Sequence, residues 1–362
     1  MHFPKNFLWG AATSSHQVEG GNENNDWWQW EAEGRVKEPS GRACDHYNLF
    51  REDFKLARQL NHNAHRFSIE WSRIEPEEGV FDPEAINHYR EVIAELRKLE
   101  IEPVVTLHHF TIPRWFYKKG GWAGGGSEYL FVRYVEKIVG EFGRDVKYWI
   151  TLNEPVVYTF KGFIEGSWPP GRKSFGEAAR VFVGFLKAHC LAYKAIHRIY
   201  KEKNWGRVNV SIAKHFLQLS PCRETSFLDG LSTKIRHYYF NTLFIKSVID
   251  GWCVAPGLPL IKLPAKKALD FIGINYYTRD FVHYAGLAPP KIFGDVCSLK
   301  HHKTAGKRNF LDWEIYPRGL GGALKECSRY GLPLLITENG TCTNNDVERV
   351  EFIKGHLEEL SR

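Results

Sequence analysis

The chain has 362 residues, 43% hydrophobic and 25% charged, a balance that buries a full core and excludes a disordered or low-complexity polymer. Lysine and arginine exceed aspartate and glutamate by 49 to 42, but the excess is scattered along the chain, which argues against a nucleic-acid partner. Seven widely spaced cysteines with no C-x-x-C pair indicate neither a disulfide framework nor a zinc knuckle, and a cytoplasmic, reducing setting suits them.

Met1 to Gly10 lack the charged-then-apolar order of a secretory signal, and no later stretch is apolar for long enough to span a bilayer. Taken in chain order, runs fit for strands lie at Phe7–Thr13, Ala64–Ile69, Pro103–His108, Tyr148–Asn153, Val208–Ala213, Asp270–Tyr276 and Leu332–Thr337. They alternate with stretches of helical period, the pattern of parallel strands joined by crossover helices. Between the second and third runs, Asp82-Pro83 places a cap and a first-turn proline ahead of Ile86, Tyr89, Ile93 and Leu96. Ser127 is expected to cap a helix burying Phe131, Tyr134, Val135, Ile138 and Phe142, and Asp346 to open one through Val350, Ile353 and Leu357. Trp27, Trp28 and Trp30 read as loop packing. No repeat or linker divides the chain, so the expectation is one α/β catalytic domain over residues 1–362, a (β/α)8 TIM barrel. Only seven of its strands are legible, with the eighth missing or supplied otherwise and the C-terminal side incomplete. The unsealed first and seventh strands would expose backbone groups that a homo-oligomer could cover.

In a parallel barrel, reactive side chains stand at the C-terminal ends of the strands. Two acids do so here: Glu154 closes Tyr148-Trp149-Ile150-Thr151-Leu152-Asn153, and Glu338 closes Leu334-Leu335-Ile336-Thr337. A lone glutamate at a strand end more often caps a loop or pairs with an arginine. Two together suit glycoside hydrolysis, in which one carboxyl protonates the leaving oxygen and the other supports or attacks the anomeric carbon.

The segments Thr151-Leu152-Asn153-Glu154-Pro155 and Ile336-Thr337-Glu338-Asn339-Gly340 resemble the two catalytic signatures of glycoside hydrolase family 1. The resemblance extends over Phe7–Ser15 with Gln17-Val18-Glu19-Gly20, Arg66–Arg73, Thr106-Leu107-His108-His109-Phe110, Asn275-Tyr276-Tyr277 and Trp313-Glu314-Ile315-Tyr316-Pro317. It implies a retaining β-glycosidase that removes terminal β-linked glucose, galactose or fucose from oligosaccharides or aryl and alkyl glycosides. Glu338 would be the nucleophile and Glu154 the general acid/base, with no cofactor and no metal. It further implies that Gln17, His109 and Asn153 bind sugar hydroxyls, that Asn275 and Tyr277 orient the nucleophile beside the sugar, that Trp313 forms an aglycone platform and that Arg66 keeps Glu338 ionised. Phe110 stands where many relatives carry tryptophan. The alternative is a catalytically impaired fragment or a non-catalytic glycan-binding relative.

Overall fold

The computed structural model describes residues 1–255, 260–297 and 305–362. Seven parallel strands form its main sheet: β1 (Gly10–Ala12), β2 (Ala64–Ser68), β3 (Glu102–Thr106), β4 (Tyr148–Asn153), β5 (Asn209–His215), β9 (Ile272–Tyr276) and β12 (Leu334–Asn339). They hydrogen-bond in the order β1-β2-β3-β4-β5-β9-β12, so each strand of the predicted set is present and β1 and β12 are left as edges. The sheet curls into a barrel with one unsealed seam. Strands β6 (Gln218–Pro221), β10 (Arg279–His283) and β11 (Asp295–Cys297) make a second sheet, and β7 (Trp252–Cys253) pairs with β8 (Ile261–Lys262).

Local chemistry accounts for the crossovers. Helix Pro83–Lys98 begins where the Asp82 carboxylate accepts from the backbone N–H groups of Glu84 and Ala85, and it buries all four of the predicted apolar residues. Helix Ser127–Phe142 also buries its expected face, but Gly126 at φ +78° takes the cap position and the Ser127 hydroxyl turns to the carbonyl of Trp122. In helix Asp346–Leu360 the cap is Asn345, whose side chain accepts from the Val347 N–H, one residue earlier than expected. The Trp27, Trp28 and Trp30 segment is a helix, Asp26–Ala32, rather than a loop, because Asn25 caps it through the Trp28 N–H.

The main core lies between the strands and the surrounding helices, with Trp71, Trp122, Trp149, Tyr134 and Phe185 fully buried. A smaller cluster of Val104, Ile150, Ala213 and Phe271 packs inside the barrel. Gly273 lets β9 approach β5, since a Cβ there would sit 2.4 Å from the Ile212 carbonyl oxygen. Two ladder irregularities position the acids: the β4/β5 register shifts between Ile150 and Asn153, and the β12/β9 register between Ile336 and Glu338. Such shifts re-aim the side chains beside them.

Candidate active site

The strand ends open into a cavity of about 2010 Å³, several times what a small ligand needs. The excess follows from the seam. The cavity runs the full depth of the barrel, past Leu8, Tyr148, Phe271 and Pro333, and out along Ile353 and Leu357 of the last helix. Gln17, Arg66, His109, Phe110, Glu154, Tyr277, Trp313 and Glu338 all line it. Asn153 and Asn275 are fully buried behind that wall, so in this arrangement they act through neighbouring side chains.

Glu154 directly follows β4 in the left-handed region, at φ +47°, an uncommon backbone state for a residue with a Cβ. Its N–H donates to the Ala213 carbonyl at 2.8 Å, and Pro155 starts a short helix, so the backbone is pinned on both sides. Its Oε1 accepts from Asn275 Nδ2 at 2.7 Å and lies 3.1 Å from His215 Nδ1. Glu338 is held by side chains instead. Arg66 Nη1 donates to Oε1 at 2.5 Å and the Tyr277 hydroxyl donates to Oε2 at 2.5 Å.

One network joins the acids. Arg66 Nη2 donates to Asn153 Oδ1 at 2.7 Å, and Asn275 Nδ2 reaches the same oxygen at 3.1 Å while also serving Glu154. Asn153 Nδ2 meets His109 Nε2 at 3.2 Å, and Thr337 donates to Asn275 Oδ1 at 2.6 Å. The guanidinium is fixed further by Thr106. Gln17, on the cavity wall, accepts from the Ser14 hydroxyl at 2.6 Å. Phe110 sits at φ +72° and packs on Trp168, while the half-exposed Trp313 ring lies 5.6 Å from that of Tyr277. Tyr276 points away, donating to the Tyr316 carbonyl at 2.6 Å, as strand alternation requires.

Burial lifts the Glu338 carboxyl above its ordinary range, with the charge of Glu154 adding to the rise and Arg66 and Tyr277 opposing it. Burial also works to raise Glu154, but the charge and hydrogen bond of His215, helped by Asn275, outweigh it and the carboxyl lies below its ordinary value. The two acids therefore compete for a proton, as coupled carboxyls do. His215 is thus the group that sets the Glu154 carboxyl against the effect of its burial. Burial, together with Arg66, keeps the His109 imidazole neutral and well below the usual histidine range.

His215 and Trp168 are the site residues the sequence reading missed. His215 had a signal: it ends β5, a strand expected to stop at Ala213, in the position where barrel chemistry concentrates. Trp168 had only its Gly- and Pro-rich surroundings.

Comparison with known proteins identifies the family and the fold. The family model described as Glycosyl hydrolase family 1 matches residues 1–253 and 260–362. A 1,4-beta-D-glucan glucohydrolase of Thermotoga neapolitana is 30% identical over 99% of this chain and 89% of its own length. The cytosolic beta-glucosidase of Homo sapiens is 28% identical over 99% of this chain and 85% of its own. Among solved structures, a beta-glycosidase from Pyrococcus horikoshii superposes with a TM-score of 0.90 at 40% identity, covering 99% of this chain and 81% of that one.

Proposed function

This chain belongs to glycosyl hydrolase family 1, and from that premise we propose that it is a retaining β-glycosidase whose nucleophile is Glu338 and whose acid/base is Glu154. The observation that carries the reading is that two strand-end carboxyls, Glu154 buried and Glu338 partly so, face one cavity and are tied into a single network by Arg66, Asn153, Asn275 and Tyr277. The residues act together as one catalytic domain. Neither acid needs a metal or an organic cofactor for a double displacement at the anomeric carbon.

In the first step Glu338 Oε attacks the anomeric carbon and the glycosidic C–O bond breaks, while Glu154 gives its proton to the leaving oxygen. Arg66 and Tyr277 hold Glu338 as the carboxylate that attacks, so substrate binding has to settle the shared proton on Glu154. Once Glu338 is esterified its charge is gone, and Glu154 is free to take a proton from the incoming water. That water displaces Glu338 and releases the sugar with its anomeric configuration retained. Gln17 and His109 offer an amide and a neutral imidazole to glycone hydroxyls, and Phe110, Trp168 and Trp313 offer apolar faces to sugar rings. Relatives named for glucan, glucose and galactose support terminal β-linked glucose and galactose as the leading glycones, with fucose a close rival.

The substrate is therefore a small β-glycoside or oligosaccharide, and the setting we propose is the reducing cytoplasm. Among the described residues no helix is long and apolar enough to cross a membrane. Glu338→Gly should abolish release of the phenol from an aryl β-glucoside, and full activity in that variant would refute the nucleophile. Proton NMR during turnover by the unmodified chain should show the β-anomer first. A glycan binder without catalysis, the alternative, would show no turnover at all.

A further inference from the structure

Beyond the C-terminal ends of β5 and β9, the small sheet runs in the order β11, β10, β6. Its registers bring three ligand-type side chains onto one face. Cys297 pairs with Phe281 across antiparallel β11 and β10, and Val282 pairs with Pro221 across parallel β10 and β6. The Cys222 N–H donates to the Val282 carbonyl at 2.7 Å, which carries the ladder one residue further. Because side chains alternate with period two, Cys297, Phe281, His283 and Cys222 share a face. The ligand atoms of Cys222, His283 and Cys297 all lie within 4.8 Å of one another. Phe281 and Cys297 are buried, and Cys222 and Ala305 pack against them as an apolar surround.

We propose that Cys222, His283 and Cys297 form a binding site for a soft divalent cation, zinc above all, with two thiolates and one imidazole as protein ligands. Tetrahedral zinc at ~2.3 Å from sulfur and ~2.0–2.1 Å from nitrogen sets its ligand atoms about 3.3–3.8 Å apart. A contraction of at most roughly an ångström therefore closes the site. Sulfur and imidazole donors select zinc over calcium or magnesium, which take oxygen ligands. A disulfide between the two cysteines is the nearest rival, and it leaves the converging imidazole without a role.

On binding, each thiol gives its proton to solvent and His283 coordinates as the neutral ring, so affinity falls as the pH is lowered. Burial, the Cys222 contact and the charge of Asp229 push the Cys297 thiol up to about 11, and a bound cation reverses that cost. Val296 and Cys297 belong to the wall of the large cavity. The loaded site would pin β11 to β10 and β6 at the rim of the catalytic pocket.

The test uses the full chain, stripped of metal with a chelator, kept reduced with a phosphine and titrated with cobalt(II). The expected result is a near-ultraviolet thiolate-to-cobalt band with tetrahedral visible bands. It should saturate at a single equivalent, bleach on adding zinc, vanish in Cys222→Ser and in Cys297→Ser and weaken in His283→Ala. The double variant C44S/C342S should keep the band, which excludes the two cysteines nearer solvent. If a serine variant does not fold, alkylation of the unmodified chain replaces it: zinc should protect Cys222 and Cys297 from iodoacetamide as read by peptide mass. No band at one equivalent, a band that survives Cys222→Ser, or alkylation of both thiols at the same rate with and without zinc would each overturn the proposal.

Discussion

The two carboxylates sit in contrasting parts of one barrel. Strand β4 has β3 and β5 on its flanks and is buried almost throughout, and Glu154 is fixed by its own backbone. Among the described residues, strand β12 pairs only with β9, most of its residues are half-buried, and the helix after it buries only Phe352 and His356. Val347 and Val350 on that helix are 67% and 63% exposed. Glu338 nevertheless has a defined position because Arg66 from β2 and Tyr277 from beyond β9 grip both of its oxygens. Arg66 also donates to the Thr337 carbonyl, so one guanidinium spans the seam. A strand paired on one side can present a reactive group when side chains from the closed arc replace the missing backbone neighbour.

The sharpest way to break that comparison is Arg66→Ala. Removing one member of a buried ion pair should cost about 3–5 kcal/mol and abolish turnover, with amide exchange rising in β12 far more than in β4. Equal loosening of both strands in a hydrogen-exchange experiment would contradict the contrast between them. Tyr277→Phe removes a single donor and should lower kcat by about 10²–10³-fold. Because the hydroxyl favours the ionised form of Glu338, its loss raises a carboxyl that burial has already raised, and the acid limb of kcat/KM should move to higher pH.

Packing offers a third comparison. Ile150→Ala, on β4 in the cluster inside the barrel, should cost about 2–5 kcal/mol in urea unfolding. Ile353→Ala, on the uncovered helix, should change stability by less than about 0.5 kcal/mol. A large loss at Ile353 would mean that another surface covers the seam in solution. The mildest change is His215→Asn, which keeps a polar neighbour for Glu154 without the imidazolium charge. Burial is then opposed only by Asn275 and the charge of Lys214, Glu154 rises, and the alkaline limb of the rate profile should move to higher pH with little loss of kcat.

By itself the sequence determined the seven strands of the barrel, three of its crossover helices and the strand-end position of both glutamates. Each rests on local information: alternation of apolar runs with helical period, an Asp-Pro start, and a glutamate following a buried run at the end where barrels hold their chemistry. Helix caps were legible only to within a residue, since Gly126 and Asn345 compete with their neighbours through backbone conformation that composition does not reveal. Contacts between residues far apart in the chain were decided by the tertiary structure alone. Asn153 and Asn275 lie behind the cavity wall, His215 reaches Glu154 from β5, and Arg66 crosses to a residue 272 positions away. The register shifts before Glu154 and at Glu338 belong to pairs of strands, and how far one strand slips against another depends on the packing of both.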